Sequence, residues 1–244
     1  MGIGKIGVVG AGTMGNGIAQ ALAVAGRDVV MMDVGDAQVK RGLDTIGASL
    51  DRLIKKDKMS AADKAAAMAR ISTATSTSAL ADCDLVIEAA TEKVDLKLRI
   101  FAELDSVVKP EAILASNTSS ISITRLAAGT KRPSQVIGMH FFNPVPVMAL
   151  VELINGLQTS AATYAAVEEL AKSIGKSPIK VKNSPGFVVN RMLCPMINEA
   201  VFVLGEGLAT AAEIDEAMKL GCNHPIGSLA LCDLIGLDVE LAVM

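Results

Sequence analysis

Histidine and cysteine are scarce in this chain of 244 residues: there are two of the first and four of the second, with no tryptophan and one tyrosine. Two histidines, His140 and His224, without carboxylates clustered beside them, argue against a metal site. Cys83, Cys194, Cys222 and Cys232 form no C-x-x-C pair and are too few to staple a chain of this size, so a reducing compartment, the cytoplasm, is expected. Neither sign of charge is in excess, with 23 basic against 26 acidic residues. Such a balance draws the protein to neither nucleic acid nor an anionic membrane, and its partners should be small. There is no signal-peptide order at the N-terminus, where Met1-Gly-Ile-Gly-Lys5 runs straight into a strand-like segment. Nor is there a credible bilayer span. Residues 133–151 carry no formal charge, but Pro133, Pro144, Pro146, His140 and Asn143 would leave polar groups stranded in lipid. No internal repeat is found, and the only biased tract is a Ser/Thr-rich loop at 72–78.

What is present is apolar: 51% of residues, enough for one large domain or two modest ones. The run 5–9 reads as a buried parallel strand, 13–25 as a helix with Met14, Ile18, Ala21, Leu22 and Ala25 at helical spacing, and 28–33 as a second strand. From 36 to about 70 the period is helical, with Leu43, Ile46, Leu50, Leu53 and Ile54 on one face and a Ser60/Asp63 cap for a second helix. Basic residues bunch on this arm at 52–58, either as a solvated face or as a surface that meets a phosphorylated substrate. Strands then recur at 84–90, 112–116, 136–142, 150–154 and 178–182, with a helix at 161–174. The pattern predicts an α/β fold, a doubly wound, mostly parallel Rossmann-like sheet with a helical arm. Beyond Asn183-Ser-Pro-Gly186 the rest reads as helices at 187–204, 210–220 (with a Thr210/Glu213 capping box) and 226–244. The expected domains are 1–184 for the dinucleotide and 185–244, all-helical.

Gly10-Ala-Gly-Thr-Met-Gly15 is a G-x-G-x-x-G that follows a strand and opens a helix. The first glycine permits the tight turn, the second a close approach to a pyrophosphate, and the third helix–strand packing. Asp33 ends the next strand, where a carboxylate would hold the adenosine ribose hydroxyls. It would repel a 2′-phosphate, and Val34-Gly-Asp36 supplies no arginine to receive one, so NAD is favoured over NADP. His140 ends a strand, and twelve residues later Glu152 interrupts an apolar one. A carboxylate there would be costly unless paired. One imidazole would satisfy it, the carboxylate fixing the ring tautomer and leaving the other nitrogen as a general base for an alcohol. The alternative is an unrelated core histidine and an edge-strand glutamate. His224 reads as a helix-end residue.

Together with the glycine loop, the motifs Glu88-Ala-Ala-Thr-Glu92, Ala115-Ser-Asn-Thr-Ser-Ser120, Gly138-Met-His-Phe-Phe-Asn-Pro-Val-Pro146 and Asn183-Ser-Pro-Gly-Phe-Val-Val-Asn-Arg191 resemble the L-3-hydroxyacyl-CoA dehydrogenases. The likeness to the bacterial 3-hydroxybutyryl-CoA dehydrogenases is strong, and it runs from residue 5 to the end in family order. The resemblance implies His140 as catalytic base, Glu152 as its orienting carboxylate, and Ser119 and Asn190 as polar groups near the substrate oxygen. It implies NAD contacts at Gly10, Ala11, Gly12, Thr13, Met14, Gly15, Asp33, Glu92, Lys97, Ser119 and Asn143. Coenzyme A contacts would fall at Ser49, Lys56 and Ser119. From the residues alone, Glu92 and Lys97 would be an acid and a base on an exposed helix, Ser119 a helix cap and Asn190 a surface amide. The resemblance further implies an acyl-CoA substrate and a homodimer formed through the helical domain. Members continue past a segment like 235–244, so that domain is expected to be incomplete. A non-catalytic NAD-binding or structural protein on the same scaffold, like the lens lambda-crystallins, is the competing class. An intact His140, Glu152, Ser119 and Asn190 set favours the enzyme. A 3-hydroxy acid dehydrogenase that does not use coenzyme A is disfavoured by the basic arm.

Overall fold

The computed structural model describes residues 2–243. The chain divides into two compact units, one ending at Asn183 and the other beginning at Ser184.

The first unit opens with β1 (Lys5–Val9), α1 (Thr13–Val24) and β2 (Asp28–Met32). Small residues let α1 lie close on the sheet, and Ile18, Ala19 and Leu22 are fully buried beneath it. The arm is α2 (Asp36–Ile54) and α3 (Ala61–Ala69). Val39, Ile46 and Leu50 bury one helical face of α2, and Ser60 with Asp63 forms the expected capping box at α3. The stretch read as a Ser/Thr-rich loop contains a strand, β3 (Ile71–Ala74), parallel to β2 at the sheet edge. Ser72 and Thr73 are exposed, so no apolar alternation announced it; pairing with β2 and the burial of Ile71 make the strand.

There follow β4 (Leu85–Glu88), α4 (Val94–Val107), β5 (Ile113–Ser116), α5 (Ile123–Ala128), β6 (Val136–Phe141), β7 (Leu150–Asn155), α6 (Ala161–Ser173) and β8 (Ser177–Lys182). The eight strands form one sheet, ordered β3-β2-β1-β4-β5-β6-β7-β8. Every neighbouring pair is parallel except β6 with β7. The chain steps outward from β1 to β3 and returns to lay β4 against β1, which opens a crevice beyond the carboxyl ends of those strands, where such sheets collect ligands.

The second unit consists of α7 (Val189–Gly205), α8 (Ala211–Cys222), α9 (Ser228–Ile235) and α10 (Leu237–Val243). Thr210 and Glu213 form the expected capping box. Asn223 closes α8 in the left-handed conformation (φ 56°), and the His224 N–H bonds the Met218 carbonyl, a helix-end role. The single helix expected over 226–244 is two, because Gly236 adopts φ 100°, which no helix accommodates; Met244 lies outside the described residues. Among the described residues no helix is long and apolar enough to cross a membrane, no cluster of ligating side chains could hold a metal, and the four cysteines are free.

Candidate active site

The glycine loop is shaped by two close approaches. Gly10 has φ 102°, and a Cβ there would meet the Ala89 carbonyl oxygen at 2.7 Å. A Cβ on Gly15 would fall 1.8 Å from the Gly10 oxygen, which forbids any side chain where α1 passes over the loop. Gly12 differs, since a Cβ there would meet no protein atom within 4 Å. That direction opens on the crevice, so the bareness of Gly12 serves something from outside the chain. Gly12 also caps α1 without any side-chain hydrogen bond, leaving first-turn N–H groups for an anion. These features fit a dinucleotide pyrophosphate.

Asp33 stands just past β2. Its Oδ2 accepts from the Ala11 N–H and its Oδ1 from the Val34 N–H, both at 2.7 Å, so the carboxylate is fixed against the loop. On one side of Gly12 and Asp33 lies a cavity of about 690 Å³ with Val34, Leu96 and Ile100 in its walls, and on the other a cavity of about 360 Å³. The second includes Arg41 from α2. The tripeptide 34–36 holds no arginine, but the second turn of α2 returns one to the wall that Asp33 occupies.

Beyond β4 and β5 runs a chain of charges that sequence reasoning only partly saw. Glu88 is fully buried at the end of β4 and accepts from the Ala90 N–H at 2.7 Å, the Ser116 hydroxyl at 2.7 Å and the Lys97 ammonium at 2.6 Å. Lys97 also reaches the Ala90 carbonyl at 3.1 Å and Glu92 at 3.3 Å. Its side chain is 1% exposed, which corrects the expectation of an exposed base. Lys97 faces inward because a buried carboxylate awaits it. Glu92 in turn accepts from the backbone N–H groups of Ser119 and Ser120 at 3.0 and 3.2 Å and from the hydroxyls of Thr118 and Ser120. Burial would push the Glu92 carboxyl up, but the Lys97 ammonium and these hydroxyls outweigh it and hold the group below the usual carboxylate range. Glu92 thus fixes the loop that carries Ser119, and the cap of α5 is Ser122 instead. The signal for Glu88 was present: like Glu152, it is a lone carboxylate in an apolar strand.

His140 and Glu152 are direct partners in the antiparallel β6–β7 register. His140 Nδ1 lies 2.7 Å from Glu152 Oε2, with the carboxylate fully buried and the imidazole nearly so. Asn117 accepts from the Phe141 N–H at 2.9 Å, which steadies the end of β6, and the Phe142 ring lies 4.5 Å from the imidazole. With Nδ1–H donating to the carboxylate, Nε2 is the basic nitrogen. Asn143 follows, exposed, on the turn after β6. On the arm, Ser49 is half-buried on α2 and Lys56 exposed just beyond it. Asn190 belongs to the second unit, on the first turn of α7.

A profile described as "3-hydroxyacyl-CoA dehydrogenase, NAD binding domain" matches residues 5–184, and one described as "3-hydroxyacyl-CoA dehydrogenase, C-terminal domain" matches 186–244. The chain is 52% identical over 240 residues to a 3-hydroxybutyryl-CoA dehydrogenase of Clostridioides difficile, spanning 98% of this chain and 85% of that protein. It is 53% identical over 242 residues to the protein of the same name from Bradyrhizobium diazoefficiens, spanning 99% and 83%. Among solved structures, (S)-3-hydroxybutyryl-CoA dehydrogenase PaaH1 from Ralstonia eutropha is 67% identical and superposes with a TM-score of 0.96, over 99% of this chain and 85% of that one.

Proposed function

The chain belongs to the 3-hydroxyacyl-CoA dehydrogenase family, and from that premise we propose how its residues carry out the reaction. The protein is an NAD-dependent oxidoreductase that interconverts (S)-3-hydroxyacyl-CoA, here 3-hydroxybutyryl-CoA, and the 3-oxoacyl-CoA, acetoacetyl-CoA. The single observation that carries the catalytic reading is the His140–Glu152 pair, a buried imidazole and a buried carboxylate at 2.7 Å beside a dinucleotide loop.

NAD when bound supplies the hydride acceptor, and in its reduced form the donor. Gly10, Ala11, Gly12, Thr13, Met14 and Gly15 would hold the pyrophosphate, Asp33 the adenosine ribose, and Glu92, Ser119 and Asn143 the nicotinamide end; Lys97, expected there too, is enclosed with its ammonium on Glu88, Ala90 and Glu92 and acts through Glu92. His140 takes the proton of the 3-hydroxyl on Nε2 in the oxidative direction and returns it in reduction. Glu152 keeps the ring oriented and supports the positive charge it acquires. Ser119 donates toward the oxygen at C3, where charge develops. Ser49 and Lys56 receive the coenzyme A portion on the arm. The four free cysteines suit a reducing compartment, and we place the protein in the cytoplasm.

The test is oxidation of NADH followed at 340 nm. Acetoacetyl-CoA should be turned over and free acetoacetate should not; no turnover with either would overturn the reading. In the same assay Asp33→Ala is expected to narrow the preference for NADH over NADPH by about tenfold, since it removes one repulsive charge while Arg41 remains in the cavity wall. An unchanged preference would remove Asp33 from the ribose site.

The helical unit is the proposed dimer surface. Met192, Phe202, Leu208, Leu220 and Leu234 are each more than half exposed, an apolar density that a lone surface rarely carries. Light scattering should give about twice the chain mass of 25.2 kDa; a monomer at micromolar concentration would refute the pairing.

A further inference from the structure

Lys176 follows α6 and is nine-tenths buried, yet among the described residues no carboxylate lies within ion-pair reach of it. Its ammonium donates instead to two backbone carbonyls, those of Val145 at 2.5 Å and Met148 at 2.8 Å. Burial draws this lysine below its usual range. A buried cation balanced only by neutral dipoles is a costly way to fill space, and methionine would fill the same volume without that cost. The turn it holds therefore calls for explanation.

That turn is 144–148, closed by the Val147 and Met148 N–H groups on the Pro144 carbonyl at 2.9 and 3.0 Å. On its other side Val145, 2% exposed, packs onto α1 at Gly17, where a Cβ would come within 3.0 Å of the Val145 Cβ. Asn143 is consequently suspended between two anchors: Asn117 on Phe141 before it and Lys176 on Val145 after it. We infer that Lys176 is a positioning residue for the cofactor site, fixing the turn that presents Asn143 to the nicotinamide end of the dinucleotide. The inference rests on the reading of Asn143 as a cofactor contact. Lys176 itself touches neither cofactor nor substrate.

The experiment measures NADH affinity by fluorescence quenching, together with kcat, the KM for acetoacetyl-CoA and thermal stability. Lys176→Met is expected to weaken NADH binding about tenfold, with kcat at saturating NADH and the KM for acetoacetyl-CoA each within about threefold of wild type; Lys176→Arg should recover most of the affinity. A folded Lys176→Met protein that melts earlier but binds NADH like wild type would show a purely structural lysine and overturn the inference. Should Lys176→Met not fold, Gly17→Ala presses on the same turn from the opposite side with Lys176 intact and is expected to weaken NADH binding likewise; wild-type affinity there would also overturn it. Asn143→Ala separates the two layers. If it leaves NADH affinity unchanged, the underlying cofactor contact fails, whereas an effect in Asn143→Ala without one in Lys176→Met defeats the positioning role alone.

Discussion

Replacing His140 by glutamine is expected to lower kcat for acetoacetyl-CoA reduction by about 10²–10⁴-fold, the range over which a positioned general acid–base group acts. Glutamine is the informative choice. Glu152 is fully buried, and an alanine opposite it would take away the imidazole it pairs with at 2.7 Å, so that lost activity and lost folding would be confounded. A glutamine amide still offers an N–H to Glu152 but has no basic nitrogen for the proton of the 3-hydroxyl. The dinucleotide contacts proposed for the glycine loop and Asp33 do not involve the His140 side chain, so NADH should bind the variant with near-wild-type affinity. Turnover within a factor of about ten of wild type would remove His140 from the role of base, because no group with a real share in the proton transfer is lost so cheaply.

The largest effect on stability is expected at Lys97. Methionine there preserves the stem but leaves Glu88 fully buried with only the Ala90 N–H and the Ser116 hydroxyl as partners. Breaking a buried pair from one side costs about 3–5 kcal/mol, and for a chain of this length that lowers Tm by about 6–20 °C. The second variant, Lys97→Met with Glu88→Gln, removes the uncompensated charge and should regain most of the loss, as a double-mutant cycle by thermal melts would record. If the single variant melts within about 2 °C of wild type, the ion pair contributes nothing beyond the two neutral hydrogen bonds. Lys97 also faces Glu92, which holds the backbone of Ser119 and Ser120, so a loss of NADH affinity should accompany the drop in stability.

The two variants probe sites of different legibility. His140 and Glu152 stood out because each is a lone ionisable group in an apolar strand, a cost that demands a partner. What joined them is the antiparallel register, in which residue numbers on β6 and β7 sum to a constant and 140 falls opposite 152. Lys97 gave no such sign. Its position in a helix rich in charge reads as solvent-facing, and only the meeting with Glu88 at the end of β4 turned it inward.

By itself the sequence determined the features whose causes are local. The capping boxes at Ser60/Asp63 and Thr210/Glu213 depend on three-residue spacing, the glycine loop on backbone freedom at Gly10 and the close approach of Gly15 to the Gly10 carbonyl, and the helical and strand periods on which face each segment buries. Family motifs then supplied roles for residues whose own chemistry was ambiguous. Tertiary structure alone decided what depends on partners distant in the chain. An exposed, polar segment became the edge strand β3 because β2 offered it a backbone ladder. Arg41 joined the wall of the Asp33 cavity because α2 folds back along α1. Lys97 and Lys176 went inside because one met a carboxylate and the other a pair of carbonyls. The partner that decides whether a lysine is enclosed lies on another element, so the lysine that looks solvated in the chain can be the one the fold encloses.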